Sequence, residues 1–353
     1  MIKKNKNYWK KTVIKKNNNL GHVIKNLNDS GLKISLIVDI NKKFIGTITD
    51  GDVRRGLLDG LNLKDKINSI INYKPVFLTN QSDRETALKL MKDNFIENIP
   101  VINSQKKICG LFYVNELTSS KQKKINTKIV IMAGGLGKRL MPLTKNKPKP
   151  LLEIQGKPML EHLVLNMKKF GFYNFIFSIN YLGSMIQERF KNGKDLNVVI
   201  KYIKESKPLG TAGSLYKLKN LKNQNIIITN CDIFSDIDYA DVLEYHKSNS
   251  ADATMVVRHY EIANPFDVVE AKGKKFVSFK TKPLKYENIN AGIYVLNSKV
   301  LKYLKNNKRE DMPSFFKKLN DKKFNVIVYP MYEKWADIGN INYIKKNQLT
   351  NNI

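Results

Sequence analysis

Gly134, Gly135 and Gly137 stand together in the run IVIMAGGLGKRLMPLTKNKPKP (129–150), with Lys138, Arg139 and Lys149 close behind them. The apolar residues Ile129 to Met132 predict a buried strand that empties into the glycine cluster. Without a Cβ, a glycine-rich loop lets backbone N–H groups close on phosphate oxygens, and the three cations supply the charge that a polyanion requires. The stretch therefore predicts a loop for a nucleoside triphosphate. Spacing excludes two common versions of such a loop. No register supplies the G-x-x-x-x-G-K-[ST] of a P-loop. The G-x-G-x-x-G of a dinucleotide site, started at Gly135, meets Leu140 at its third glycine, and Lys157 stands where an acid is expected.

The elements that must hold this loop alternate. Leu160, Leu163, Val164, Met167 and Phe170 recur at helical spacing between Pro158 and Gly171, which read as a start and a stop. Residues 174–180, 197–205 and 226–232 read as buried strands, 182–193 as a helix, and 208–215 as a loop that opens another helix. A further helix is expected through Asp241 to Lys247. Strands alternating with helices predict a mostly parallel sheet covered on both faces. From Ala253 to Leu296 the pattern turns to strands, which are expected to extend that sheet and build a substrate-side lobe.

The first third of the chain reads as a repeat. A helical segment from Leu20 to Ser30 is followed by ISLIVDINKKFIGTITDGDV (34–53), and one from Asp83 to Asn94 by IPVINSQKKICGLFYVNEL (99–117). Each is helix, strand, Asn-containing turn, strand, then an acid opening a helix. One such unit buries little alone, so two packed together make the sensible minimum. The repeat resembles a tandem pair of CBS domains, an α+β (Bateman) module, spanning about 8–62 and 63–118 of a domain at 1–120. In that family G-x-x-T-x-x-D meets the ribose and phosphate of an adenine nucleotide. Gly46, Thr49 and Asp52 match it, whereas the second repeat keeps Gly110 but has Tyr113 and Glu116. The resemblance thus implies one ligand site, at Thr49 and Asp52, against the alternative of a purely structural pair. The polar stretch at 121–127 reads as a linker to a domain at 128–353.

At 353 residues the chain has room for two domains. Its formal charge of +31 comes almost wholly from Lys scattered over every segment, not from the Arg-rich patch of a nucleic-acid binder. No nucleic-acid partner is expected; the excess cation suits phosphorylated substrates. Cys109 and Cys231 lie far apart with no metal-type spacing, so neither a disulfide framework nor a cysteine metal site is expected. No apolar segment follows the basic MIKKNKNYWKK, and no stretch approaches a membrane span. The expectation is a cytoplasmic protein without a membrane partner. Its oligomeric state stays open, a homo-oligomer included.

The opening loop also fits a longer pattern, G-G-x-G-x-R-L-x-P-x-T with P-K-P-L-L downstream: Gly134, Gly135, Gly137, Arg139, Leu140, Pro142, Thr144, then Pro148 to Leu152. This resembles the sugar-1-phosphate nucleotidyltransferases over about 128–347. Five more patches carry the likeness: Gly156-Lys157-Pro158-Met159, the L-G-T-A-G loop at 209–213, Asn230-Cys231-Asp232, Asn290-Ala291-Gly292-Ile293-Tyr294, and Trp335-Ala336-Asp337-Ile338-Gly339. The resemblance implies a Rossmann-like α/β domain with a mostly parallel mixed sheet. It also implies an enzyme that joins a sugar 1-phosphate to a nucleoside triphosphate with release of pyrophosphate.

By the same resemblance Asp232 and Asp337 hold Mg²⁺, and Arg139 and Lys149 meet the triphosphate. Gly134, Gly135, Gly137, Glu205, Gly210 and Thr211 bind the nucleotide, while Lys282, Asn290 and Gly292 face the sugar phosphate. No general base is needed, because the attacking phosphate oxygen is already ionised near neutrality. His22, His162, His246 and His259 accordingly lie outside every matching patch. Glu205 can accept two hydrogen bonds from guanine, which favours GTP, although uridylyl relatives also carry Glu. Thr281 and Asp267 depart from the commoner Glu and Gly on the sugar side and leave the sugar open. A CBS pair ahead of such a domain resembles the glucosamine-1-phosphate guanylyltransferases of bacterial legionaminic-acid pathways, which serve surface glycans. A regulatory adenine or guanine nucleotide at the CBS pair would follow. The competing readings are another nucleotidyl transfer and an inactive nucleotide-sugar sensor.

Overall fold

The computed structural model describes residues 8–80, 82, 84–94, 96–113 and 124–338. By packing, the chain divides into two compact units: Met1–Lys121 with Glu261–Tyr286, and Gln122–Tyr260 with Glu287–Ile353.

The first unit is built twice. Its first half runs β1 (Val13–Lys15), α1 (Leu20–Ser30), β2 (Ile34–Val38), β3 (Phe44–Thr49) and α2 (Asp50–Leu58); the second runs β4 (Leu78–Thr79), α3 (Arg84–Asn94), β5 (Asn98–Ile102) and β6 (Ile108–Tyr113). Helix α1, β2 and β3 recur 64 residues on as α3, β5 and β6. Each half pairs its first strand in parallel and closes an antiparallel hairpin, with a bulge at Ile37/Val38 and again at Val101/Ile102. Ile34, Leu36, Phe44 and Ile102 form one buried cluster with Ile108 and Leu111, so the halves cover each other's apolar faces. Glu116 and the segment 114–123 lie outside the described residues.

The second unit opens with β7 (Ile125–Met132), the short hairpin β8 (Glu153–Ile154) and β9 (Lys157–Pro158), α4 (Met159–Lys169), β10 (Phe172–Ile179), α5 (Gly183–Phe190) and β11 (Val199–Lys204). There follow β12 (Asn225–Asn230), β13 (Ile233–Ser235), α6 (Tyr239–Ser248) and β14 (Ala253–Ala263). The chain then passes through the hairpin β15 (Val268–Lys272) and β16 (Lys275–Lys280), which groups with the first unit. It ends with β17 (Leu284–Asn297), α7 (Met312–Asp321), β18 (Val326–Met331) and β19 (Trp335–Asp337). Seven strands form one sheet in the order β11-β10-β7-β12-β17-β14-β18. Strands β11, β10, β7 and β12 run parallel, while β17 is antiparallel to β12.

Alternation along the strands divides two cores. Ile129, Ile131 and Ile227 face the cluster covered by α4, α5 and α6, and Val130, Ile226 and Ile228 face the one covered by α7. The expected helix at 182–193 is shorter, because Leu182 and Lys191 take positive φ at its ends. The expected helix after 208–215 is a 3-10 turn at Gly213–Leu218.

Candidate functional site

From β7 the chain crosses to β10 and β11 on one side and to β12 on the other, so the strand order reverses between β7 and β12. An open α/β sheet leaves a crevice beyond its carboxyl ends at such a switch. A cleft of about 560 Å³ lies there, lined by 134–140, Lys149, Glu205, 208–211, 230–232 and Arg309. Its size is that of a small-ligand site.

The three loop glycines are required for different reasons. Gly137 has φ +62°, and a Cβ there would lie 2.8 Å from Thr144 Cγ2; the Thr144 hydroxyl donates to the Gly137 carbonyl at 3.0 Å. Gly134 lets the backbone pass Asn180 and the Glu205 carboxylate, which a Cβ would meet at 3.2 and 3.3 Å. A Cβ on Gly135 would meet no protein atom within 4 Å. Nothing among the described residues demands glycine at 135; what it preserves is open backbone facing the cleft.

Asp232 and Asp337, 105 positions apart in sequence, are brought together by a two-stranded ladder. Strand β13 pairs antiparallel with β19, Ile233 opposite Asp337, and the Ile338 N–H donates to the Asp232 carbonyl at 3.0 Å. The Trp335 indole N–H donates to the Ala291 carbonyl at 2.9 Å and ties β19 to β17. Lys149 Nζ forms an ion pair with Asp232. Between these charges Cys231 is buried, and its thiol is pushed up to about 12, first by burial and then by the Asp232 carboxylate, with Asp337 adding to it. That thiol is no nucleophile at neutral pH. Gly339 lies outside the described residues.

Glu205 follows β11 and is held at both oxygens. The Ser178 hydroxyl lies 2.8 Å from Oε1, and the Leu209 N–H donates to Oε2 at 3.0 Å. Each carboxylate oxygen retains a second lone pair, so the group is positioned yet still able to accept. The loop at 209–213 is laced to 309–312. The Thr211 N–H donates to Asp311 Oδ1 at 3.1 Å, the Met312 N–H donates to Thr211 Oγ1 at 2.8 Å, and the Ala212 and Gly213 N–H groups donate to the Glu310 carbonyl. Gly210, at φ +75°, permits this approach; a Cβ would lie 2.5 Å from the Glu310 oxygen.

Gly292, at φ +74°, brings β17 against Asn230, whose Nδ2 a Cβ would meet at 3.0 Å. Asn290 is turned onto its own strand, accepting from the Gly292 N–H at 3.0 Å and donating to the Tyr294 hydroxyl at 2.8 Å. Lys282 stands after β16 in the first unit at φ +42°, where its N–H donates to Asp267 Oδ1 at 3.2 Å. The departure at Asp267 thus holds a turn.

Thr49 and Asp52 close on each other. Asp52 Oδ2 accepts from both the N–H (2.8 Å) and the hydroxyl (2.7 Å) of Thr49, which caps α2 in a capping box. Gly46 is required by close packing, since a Cβ would lie 2.5 Å from the Asn72 carbonyl oxygen.

Arg309 is the cleft residue that the sequence reading missed. It belongs to no motif and precedes α7 in a Lys-rich loop; its only signal was being an Arg where Lys is the usual cation.

Mg²⁺ fits the residues present. Asp232 and Asp337 supply hard oxygen donors, and Asn230 Oδ1 beside them is buried with no hydrogen-bond partner among the described residues. Among the described residues no group of three or more His, Cys, Asp or Glu could hold a metal. The ion would complete its shell with water and substrate phosphate, as Mg²⁺ ordinarily does.

The nucleotidyl transferase family model matches residues 128–351, and the CBS domain model matches 67–121. A mannose-1-phosphate guanyltransferase of Schizosaccharomyces pombe is 32% identical over 230 residues, 60% of this chain and 61% of that protein. A mannose-1-phosphate guanylyltransferase of Mycobacterium tuberculosis is 31% identical over 219 residues, 60% of each chain. The catalytic subunit beta of the Dictyostelium discoideum enzyme of that name is 35% identical over 181 residues, 49% of this chain and 50% of that one. The chain therefore spans no more than 61% of the length of these relatives. A Bacillus anthracis structure described as a glucose-1-phosphate thymidylyltransferase superposes with a TM-score of 0.51 at 23% identity, covering 63% of this chain and 94% of that one. It shares the nucleotidyltransferase fold. No described helix is long and apolar enough to cross a membrane.

Proposed function

The chain belongs to the nucleotidyl transferase family through residues 128–351, and from that premise we propose that it transfers GMP from GTP to a sugar 1-phosphate, releasing pyrophosphate. The observation that carries this reading is one cleft holding an open glycine loop with Lys138, Arg139 and Lys149 beside the carboxylate of Asp232. A phosphate oxygen of the sugar 1-phosphate attacks the α-phosphorus of the triphosphate. The new P–O bond forms as the bond to the β-phosphate breaks, and pyrophosphate leaves with the electron pair. The nucleophile is ionised near neutrality, so no side chain need take a proton. Arg139 and Lys149 neutralise the triphosphate and the charge that grows on the leaving group. Lys149 is already drawn toward Asp232 and would exchange part of that contact for phosphate oxygen. Bound by Asp232 and Asp337, Mg²⁺ would supply further charge stabilisation on the phosphoryl oxygens. Lys282, Asn290 and Gly292 are proposed to face the sugar phosphate.

GTP is supported by the positioned Glu205 carboxylate and by the names of the relatives, which are guanylyltransferases of mannose 1-phosphate. We place the domains at 1–120 and 128–353 with a linker between, in a cytoplasmic enzyme of nucleotide-sugar synthesis. A regulatory nucleotide at Thr49 and Asp52 remains a proposal in competition with the capping box. Calorimetry with AMP, ATP and GTP checks it, and silence from all three leaves the cap as their role.

The experiment for the main reading is a pyrophosphate-release screen. Four nucleoside triphosphates are set against a panel that includes mannose, glucosamine and glucose 1-phosphates. Turnover is expected with GTP and one of these sugars. Release with UTP alone would replace the base assignment, and none with any pair would favour the inactive sensor.

A further inference from the structure

We propose that Arg309 reads the guanine of the incoming triphosphate, donating from its guanidinium fork to O6 and N7; this deepens the guanylyl-transfer reading above and rests on it. Arg309 lines the cleft together with Glu205 and residues 208–211. Its backbone neighbourhood is fixed. The Glu310 N–H donates to the Leu209 carbonyl at 2.9 Å, and Asp311 and Met312 are bonded to Thr211. Its side chain is not used up by this lacing. The side chain is 72% exposed, and its guanidinium reaches Asp311 Oδ2 only at 3.5 Å, the outer limit of a hydrogen bond.

The chemistry selects the base over the phosphates. Three cations, Lys138, Arg139 and Lys149, already come from the glycine loop and the segment that follows it. Arg309 enters instead from the segment before α7, which is laced to the 209–213 loop that follows β11. Glu205 is an acceptor and suits the N1–H and amine of guanine. Those contacts leave O6 and N7, two adjacent acceptors that match the paired N–H groups of a guanidinium. Adenine offers N7 beside an amine, which repels one arm of the fork, and uracil has no equivalent pair. Glu205 and Arg309 together would read both polar edges of guanine, and neither alone would exclude every other base.

The test uses the full chain and titration calorimetry with Mg²⁺ and no sugar phosphate, so binding is read without turnover. The ligands are GTP, 7-deaza-GTP (which lacks N7), ITP (which lacks the amine) and UTP. Arg309→Ala is expected to weaken GTP and ITP about 10–100-fold while changing UTP less than about threefold. Wild type should bind 7-deaza-GTP more weakly than GTP, and Arg309→Ala should lose less on it than on GTP. Arg309→Lys keeps the charge but not the fork and should resemble the Ala variant. An equal loss for GTP and UTP, with Lys rescuing both, would make Arg309 a phosphate contact and overturn the proposal. So would unchanged GTP binding, or a wild type that binds no guanine nucleotide. Guanine binding that depends on Arg309, with no pyrophosphate release in the screen above, would leave this assignment standing and remove the transfer reading instead.

Discussion

Gly135 and Gly137 sit two positions apart, yet they answer to different parts of the system. At Gly137 the backbone lies at φ +62° with Thr144 Cγ2 2.8 Å from where a Cβ would be, so Gly137→Ala meets both strain and overlap. It should cost about 1–3 kcal/mol of stability, visible in a thermal melt. Gly135 has open space, so Gly135→Ala should leave the melt within about 0.5 kcal/mol of wild type. Its cost should appear in turnover, roughly 10–100-fold in kcat/KM, because the methyl stands where phosphate must approach. A Gly135→Ala variant with wild-type kinetics would show that the loop does not touch substrate. Asp232→Asn makes the complementary case. The Asp232–Lys149 pair is mostly buried, with side chains 21% and 13% exposed, so Asn leaves the Lys149 ammonium without its counter-charge and should cost about 1–3 kcal/mol in the melt, short of unfolding the chain. Turnover should fall at least about 100-fold if this carboxylate serves the transferring phosphate.

What was legible at this scale follows from locality. Gly134, Arg139 and Lys149 lie within one short run, and their order alone signals a phosphate loop. Arg309 was not legible, because its place in the cleft depends on hydrogen bonds between residues about 100 positions apart, such as Thr211 with Asp311 and Met312. Glu205 is singled out only by the family resemblance, as the last residue of an expected strand at 197–205. That Ser178 and the Leu209 N–H hold it could not be read from spacing: Ser178 belongs to no matching patch, and the motif at 209–213 does not say where its first N–H points.

Among the elements, α7 shows how the cleft and the fold share parts. Its own N-cap residue, Asp311, makes no side-chain cap; that carboxylate turns away to accept from the Thr211 N–H, and the Thr211 hydroxyl accepts from Met312 in its place. The exchange binds a loop of the cleft to the first turn of a core helix. Thr211→Val removes the acceptor and keeps the shape. It should cost about 1 kcal/mol and lower the melting temperature by about 2–4 °C. It should also raise the KM for the triphosphate, since 209–213 loses one of its ties to α7 while its backbone bonds to Glu310 and Asp311 remain; a stability loss without a KM change would confine Thr211 to capping. The elements themselves were largely legible. The apolar runs of β7, β10 and β12 and the helical stripe of α4 announce a covered parallel sheet, and the repeat of α1, β2 and β3 announces a paired module. The hairpin of β15 and β16 groups by packing with the first unit, which alternation along the chain does not signal. Alternation predicts that strands exist and which faces are apolar. It does not say which neighbour supplies the cover, and Val269, Val277 and Phe279 remain exposed on that hairpin.

For the whole molecule, charge and one buried base set the response to acid. The formal +31 already favours expansion through self-repulsion, and protonating carboxylates below neutrality adds to it. His246 on α6 is fully buried, its Nδ1 2.8 Å from Thr254 Oγ1 and its Nε2 with no hydrogen-bond partner among the described residues. Burial lowers its pKa to about 4, against the opposing pull of the Asp252 carboxylate. In the unfolded chain the same imidazole titrates near its ordinary 6.5. Between those two values the unfolded state binds a proton that the folded state refuses, so stability rises with pH across that window. The contribution is complete above about 6.5 and is lost progressively toward 4, on the order of 3 kcal/mol in all. His246→Gln removes the titration while keeping a polar group for Thr254. Its melting temperature should sit below wild type at pH 7.5 and depend less steeply on pH between 6.5 and 4.5. A slope as steep as wild type would move the acid sensitivity to the carboxylates and the net charge.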